Sequence, residues 1–107
     1  MVVEEYDFVN SETEAIKEAL FSKGPLVTTF WVYEDFYYYT GGVYEYSWGD
    51  YEGGHCVAIV GWSNTNSCWI CKNSWGADWG ESGWFKIKWG HCGINSGVSW
   101  MTPNNFI

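Results

Sequence analysis

Two polar side chains, His55 and Asn73, stand at the ends of two apolar segments in this sequence. His55 precedes the β-branched run 56–61 (CVAIVG), and Asn73 follows the apolar segment 68–72 (CWICK). The intervening residues 62–67 are polar and turn-rich, which predicts an antiparallel β-hairpin. Because a hairpin folds its strands back on each other, His55 and Asn73 are predicted to lie side by side. An imidazole titrates near neutrality, so an imidazole oriented by a carboxamide could be half of a catalytic apparatus.

Each of these residues also has an ordinary structural interpretation. A histidine at the start of a buried strand can simply be hydrogen-bonded within the core, and an asparagine before Ser and Gly is common in turns. From His55 alone, the structural interpretation is the better one. The second histidine, His91, precedes Cys92 in a loop and is expected to be exposed.

The cysteines argue against a metal site. Cys68 and Cys71 have the spacing of zinc and redox motifs, but they lie within an apolar strand. In an extended strand these two residues point to opposite faces, so we expect two small buried hydrophobic residues and no metal. Cys56 follows His55 directly and must face the other way, which excludes Cys56 as the nucleophile for this histidine. The acidic residues form no convincing acid–base or calcium pair, and we expect no cofactor.

Length, charge and composition limit the function further. A chain of 107 residues is large enough for one small domain with a single core. The formal net charge of −8 argues against binding to nucleic acid or to anionic membrane surfaces. No apolar run is long enough to span a bilayer. Aromatic residues make up 21% of the chain, with nine tryptophans, so some rings are expected on a surface that a partner covers.

Periodicity and turn residues predict one helix among several strands. Ser11 is expected to cap the helix and Glu14 to complete a capping box, with helical spacing through Phe21 and a stop in the segment 22–25. The acidic and aromatic segment 34–39 is ambiguous and could form one helical turn. The remaining predictions are an edge strand over 2–9, a central strand over 26–32, an extended segment over 43–46, a strand over 83–90, a glycine-punctuated return over 91–99 and a tail over 100–107.

The residues around His55 and Asn73 carry a resemblance to a known family. The segments 53–61 (GGHCVAIVG) and 72–85 (KNSWGADWGESGWF) resemble the papain-like cysteine peptidases around their catalytic histidine and asparagine. The similarity extends to 23–27 (KGPLV), 39–44 (YTGGVY) and 92–94 (CGI), so it covers nearly the whole chain. It is limited to the C-terminal, β-rich half of that fold. No residues here match the motif of the family's nucleophilic cysteine and oxyanion glutamine.

The resemblance implies a fold and a set of site residues. The fold implied is α+β and mainly antiparallel β, a barrel-like twisted sheet with one N-terminal helix, with residues 1–107 forming a single domain. His55 is implied to be the general acid–base and Asn73 the residue that orients it. Trp75 and Trp79 would lie on the leaving-group side, although Trp79 is equally well interpreted as an ordinary aromatic at a sheet edge. The implied residues of the substrate pocket are Gly53, Gly54, Cys56 and Gly97.

The same resemblance implies an activity and partners, and it raises the question of a disulfide at Cys92. The chain is expected to be part of a cysteine peptidase that is inactive alone, acting on peptide or protein substrates with a complementary N-terminal half. Two other classes stay open: a binding or self-associating module that uses the exposed half-cleft, and a structural domain. Cys92 matches a position that is disulfide-bonded in many relatives, but segment 47–52 offers no cysteine to pair with it. Localisation is unknown; only the resemblance suggests a secreted or lysosome-like compartment.

Overall fold

Seven strands form one sheet in the structure, a computed structural model that describes the backbone of residues 2–104 and the side chains of residues 7–100. Along the sheet the strands follow the order β1-β7-β2-β4-β5-β6-β3. The strands are β1 (Val2–Phe8), β2 (Leu26–Tyr33), β3 (Val43–Tyr44), β4 (Tyr51–Ser63), β5 (Cys68–Lys72), β6 (Trp84–Lys88) and β7 (Ser99–Asn104).

The sheet is antiparallel except where the short strand β3 runs parallel to β6. β4 and β5 form the predicted hairpin, in which Ala58 pairs with Lys72 and Ser63 with Cys68. The predicted α+β, mainly antiparallel fold is confirmed. The expected barrel is wrong in one respect: β1 and β3 lie at opposite edges of the sheet and do not pair, so the sheet is not closed.

The α-helix α1 (Thr13–Lys23) begins later than the predicted cap. Glu12 occupies the N-cap position and no side chain caps the helix, so the capping box of Ser11 and Glu14 is wrong. The Asn10 side chain instead accepts a hydrogen bond from the Glu12 amide at 2.9 Å, a local turn that places the first helical residue at Thr13. The predicted end is confirmed, since Gly24 has φ +84° and its amide donates to the Leu20 carbonyl.

The core lies between α1 and one face of the sheet. Residues of β2 alternate between this face and the outside: Phe30 and Val32 are buried, whereas Thr29 and Trp31 are exposed. The helix contributes two buried side chains, and several aromatic rings complete the core. The fully buried members with the largest side chains are Trp69, Phe30, Phe36, Phe85, Ile16, Leu26, Ile59, Ile87, Ile94 and Val98.

The two ends of the described chain pair with each other. β1 is an edge strand as predicted and pairs antiparallel with β7, with Phe8 opposite Ser99. The tail predicted over 100–107 is therefore wrong for residues 100–104, and its last residues lie outside the described part. A 3₁₀ helix, Glu34–Tyr38, follows β2 and settles the ambiguity of that segment. Among the described residues, no helix has the length and apolar character needed to cross a membrane.

Candidate active site

His55 and Asn73 come together at the end of the β4–β5 hairpin. His55 lies on β4, three residues before the pair Ala58–Lys72, and Asn73 follows β5 directly. The Asn73 amide donates to the Gly83 carbonyl at 3.0 Å, which fixes the backbone that carries the side chain. His55 Nε2 lies 2.7 Å from Asn73 Oδ1. The hairpin thus brings the imidazole and the carboxamide within hydrogen-bonding distance.

The neighbouring backbone determines which atom donates in this bond. The Ser74 amide donates to the same Asn73 oxygen at 2.8 Å. A backbone N–H can only donate, so the shared atom must be the carbonyl oxygen, and His55 Nε2 must carry the proton that it shares with Asn73. The other ring nitrogen, Nδ1, is then free to exchange a proton with a reactant.

Aromatic rings surround this hydrogen bond. The Trp75 indole stacks on the imidazole with ring centroids 4.8 Å apart and planes 25° apart. Phe30 lies 6.0 Å from the imidazole in a tilted arrangement. Asn73 is buried, with 3% of its surface exposed, whereas His55 is half-buried. Because water is excluded from one side, the His55–Asn73 bond lies in a medium of low polarity, while the imidazole keeps a path to the surface.

Trp79 belongs to the same aromatic cluster as Trp75. Its ring lies edge-on to Trp75, at 5.2 Å and 82°, and also packs on Phe36 at 4.9 Å and Phe85 at 5.7 Å. Trp79 is thus partly a core residue and partly a support for Trp75. The loop that carries it returns to β6 through Gly83, where a Cβ would lie 2.6 Å from Lys72 Nζ and where φ is +92°. The left-handed backbone at this position favours glycine.

Gly54 and Gly97 line a cavity of about 320 Å³ on the outer side of β2. Gly97 packs closely on Thr29, since a Cβ there would lie 2.6 Å from Thr29 Oγ1. The other lining residues are Thr29, Phe30, Trp31, Tyr51, Gly93 and Ser96, none of which carries a charge.

The structure does not bring the other two pocket candidates to this cavity. Cys56 borders a second, more apolar depression that lies toward β5, together with Val27, Ala58 and the segment 72–74. We call it the outer depression. β2 and β4 pair so that Trp31 is opposite Gly54, and the cavity forms above that end of the two strands. Gly53 is adjacent to Gly54 but is not part of the lining.

All four cysteines are free thiols. Cys68 and Cys71 are fully buried, as predicted, and burial raises the pKa of both. For Cys92, burial and the nearby Asp35 charge raise the pKa to about 11. These three thiols are protonated at neutral pH, and Cys56 is exposed. Within the described residues, no group of three potential ligands could hold a metal ion.

Comparison with known proteins places these features in a family. The family model described as papain family cysteine protease matches residues 1–102. This chain belongs to the papain family of cysteine proteases. It is 45% identical over 94 residues to a gut-specific cysteine proteinase of Caenorhabditis elegans, covering 84% of this chain and 29% of that protein. It is 48% identical over 92 residues to cathepsin B-like CP3 of Giardia intestinalis, covering 81% and 31%.

Solved structures of the papain family have the same fold. Procathepsin B S9 from Trypanosoma congolense superposes with a TM-score of 0.87 at 32% identity, over 96% of this chain and 37% of that one. Procathepsin L2 from the larval midgut of Tenebrio molitor gives a TM-score of 0.84 at 33% identity, over 96% and 35%. The chain spans less than a third of the length of the curated relatives described above. It is therefore part of a papain-family cysteine protease domain.

Sequence reasoning missed several residues around this site. The alternation along β2 places Thr29 and Trp31 on the outer face, so this pattern could have indicated that they line the cavity with Gly54. Tyr37 is different: it stacks on Trp75, and no local pattern in the segment 34–39 connects it to the hairpin. Such a contact depends on how two distant segments pack.

Proposed function

We propose that this chain supplies the proton-transferring half of a cysteine peptidase, with His55 as general acid–base and Asn73 as the residue that orients it. The observation that carries the proposal is the hydrogen bond of 2.7 Å between His55 Nε2 and Asn73 Oδ1. It fixes the tautomer in which Nδ1 is free to accept a proton, as the third member of a catalytic triad does.

The reaction follows from this arrangement and a thiol provided by another segment. His55 Nδ1 takes the thiol proton, and the thiolate attacks the carbonyl carbon of the scissile peptide bond. The imidazolium then gives its proton to the leaving amine, which leaves an acyl-thioester. In the second half, His55 takes a proton from water, the hydroxide releases the carboxylic acid, and the proton returns to the sulfur.

The aromatic surroundings support this role for His55. Trp75 covers one face of the imidazole next to the Asn73 bond. Excluding water from that side strengthens the hydrogen bond and keeps the ring in one orientation through both proton transfers.

The nucleophile has to come from outside this chain. Cys68 and Cys71 are buried, and the Cys92 thiol stays protonated at neutral pH. Cys56 borders the outer depression. We therefore propose that the chain is inactive alone and works with a complementary half, in keeping with the greater length of its relatives.

We further propose that the cavity between Gly54 and Gly97 receives a substrate side chain. It lies beside the strand that carries His55, and its lining combines aromatic rings with small residues and no charge. Such a lining favours an uncharged, apolar side chain over a charged one, because a charged group would lose its hydration without gaining a partner.

The test is complementation with the N-terminal half of a papain-family protease. Hydrolysis of a fluorogenic peptide should be absent for the chain alone, appear on mixing, and be abolished by His55→Ala. The matched control is His91→Ala, which removes the other histidine and should leave hydrolysis unchanged. Hydrolysis by the isolated chain that survives His55→Ala, or that requires Cys56, would overturn the proposal.

A second candidate is a binding or self-associating module. It is favoured by the outer depression, which has a volume of about 420 Å³, is mostly apolar and is covered by no described element. Complementation separates the candidates, because a pure binding module would associate with the N-terminal half without restoring hydrolysis.

A further inference from the structure

We propose that Tyr37 is a positioning residue that holds Trp75 against the His55 imidazole. Two stacked contacts connect the three rings. Trp75 lies 4.8 Å from His55 with planes 25° apart, and Tyr37 lies 5.3 Å from Trp75 with planes 23° apart. The indole therefore has a stacked contact with the imidazole and another with the phenol.

The element that carries Tyr37 is firmly anchored. Tyr37 lies in the 3₁₀ helix Glu34–Tyr38, next to Phe36, which is fully buried and contacts Trp75 with ring centroids 5.5 Å apart. The Tyr37 carbonyl accepts a hydrogen bond of 3.2 Å from Trp79 Nε1. Two core aromatics therefore fix the backbone of Tyr37, so its ring can act as a stop for the indole.

Trp75 needs such a stop because it lies in a loop. It is half-buried and follows β5 by three residues, ahead of the left-handed turn at Gly76. Phe36 and Trp79 contact the indole at steep interplanar angles of 67° and 82°, whereas Tyr37 stacks on it nearly parallel, at 23°. Without the Tyr37 ring the indole would lose one of its two stacked contacts and would gain freedom to rotate away from His55.

The role of Tyr37 can be separated from stability. About 45% of its surface is exposed, so truncating the ring opens no core cavity. Its neighbour Tyr38 provides a matched control: it is 67% exposed and stacks on Trp48, at 5.7 Å and 26°, rather than on Trp75. Tyr37→Phe keeps the stacking face and removes only the hydroxyl.

Nuclear magnetic resonance of the chain tests the positioning directly, because the chain has two histidines and His91 serves as an internal reference. Tyr37→Ala should shift the carbon-bound ring protons of His55, which sense the Trp75 ring current, and leave those of His91 in place. Tyr37→Phe should restore the parent spectrum, and Tyr38→Ala should leave His55 unchanged. Unmoved His55 signals in folded Tyr37→Ala, or an equal shift in Tyr38→Ala, would overturn the inference.

A measurement on the parent chain covers the case in which Tyr37→Ala fails to fold. Nuclear Overhauser effects should connect the Tyr37 ring to the Trp75 indole, and the indole to the His55 ring. Their absence in the folded parent chain would overturn the inference without any variant.

The catalytic consequence rests on the proposed function. With the complementary half present, Tyr37→Ala should lower kcat/KM roughly 2- to 10-fold, the range for one lost aromatic contact, whereas Tyr37→Phe should keep the parent value. An unchanged kcat/KM in Tyr37→Ala would overturn the catalytic part. If Tyr37→Ala moves the His55 signals but complementation yields no hydrolysis at all, the positioning stands and the proposed function fails.

Discussion

The two polar atoms of the Asn73 side chain differ in their hydrogen bonding. Its Oδ1 accepts from the Ser74 amide and from His55, whereas its Nδ2 is buried without a hydrogen-bond partner among the described residues. A buried polar atom without a partner costs about 1–3 kcal/mol of stability. The side chain therefore favours orientation of the imidazole at some expense in stability, which is common at functional sites.

We predict that Asn73→Ala separates activity from stability. It removes two accepted hydrogen bonds together with the unpartnered nitrogen, so the free energy of unfolding should change by no more than about 1 kcal/mol. Without Asn73 the imidazole is no longer held in one orientation, so the rate of hydrolysis with the complementary half present should fall on the order of 100-fold. This is the effect of a small misplacement of a catalytic group. Urea unfolding and peptide hydrolysis measure the two quantities; a loss of activity that merely tracks a large loss of stability would contradict the prediction.

The main catalytic candidates could be predicted from the sequence, but their surroundings could not. His55 and Asn73 lie at the ends of a hairpin whose strands and turn can be recognised from their local sequence. Because the strands of a hairpin pair, the two side chains are brought close together. Tyr37 and Asp35 contact residues of distant segments, and the local sequence around them does not indicate these contacts. The family resemblance placed Cys56 in the pocket with Gly54, whereas in the structure Gly54 lines the cavity and Cys56 borders the outer depression.

At the scale of elements, Asp35 ties the 3₁₀ helix to the turn that leads into β4. It is 8% exposed and accepts hydrogen bonds from the Ser47 amide at 2.8 Å, the Ser47 hydroxyl at 3.2 Å and the Trp48 amide at 3.3 Å. It also accepts from the Tyr44 hydroxyl, and burial together with this bond raises the tyrosine's pKa. One carboxylate therefore holds the turn without a disulfide to Cys92.

We predict that Asp35→Asn destabilises the chain by about 1–3 kcal/mol. Asparagine has one acceptor oxygen where the carboxylate has two, so either the Tyr44 hydroxyl or the donors of Ser47 and Trp48 would lose their acceptor, and the charge that strengthens these bonds would be gone. Asp50→Asn is the matched control, since it removes the same charge from an exposed acid in this region and should change stability by less than about 0.5 kcal/mol. Equal effects of the two variants in urea unfolding would show that charge alone is responsible.

The elements that sequence failed to predict share one cause. Segment 99–104 has mixed polarity and contains Pro103, so it has little strand character by itself, yet it becomes β7 because β1 supplies its hydrogen bonds. The helix start moved because Asn10, rather than Ser11, made the local turn with Glu12. β2, the hairpin and β6 have their own apolar patterns and were predicted within a few residues. The hydrophobic pattern of the sequence identifies the buried strands, whereas edge strands and helix caps depend on contacts with other segments.

At the scale of the whole molecule, part of the outer face of the sheet is left uncovered by the described residues. The helix and the core residues lie on the inner face, and the outer depression stays apolar and accessible around Cys56 and Ala58. The chain also carries a net charge of −8, so two copies repel each other. Apolar attraction and charge repulsion therefore oppose each other in any pairing of identical chains.

We predict that the chain is monomeric at low ionic strength and self-associates more strongly as salt is added. Salt shortens the screening length from about 30 Å at 0.01 M to about 3 Å at 1 M, which weakens the repulsion but leaves apolar contact intact. Ala58→Asp adds a charge within the outer depression and should reduce association at every salt concentration. The matched control is Phe21→Asp, which adds the same charge at an 88%-exposed position on α1 and should cause a smaller decrease. Sedimentation velocity measures this directly; a dimer that dissociates on adding salt, or equal effects of the two variants, would mean that another surface mediates the contact.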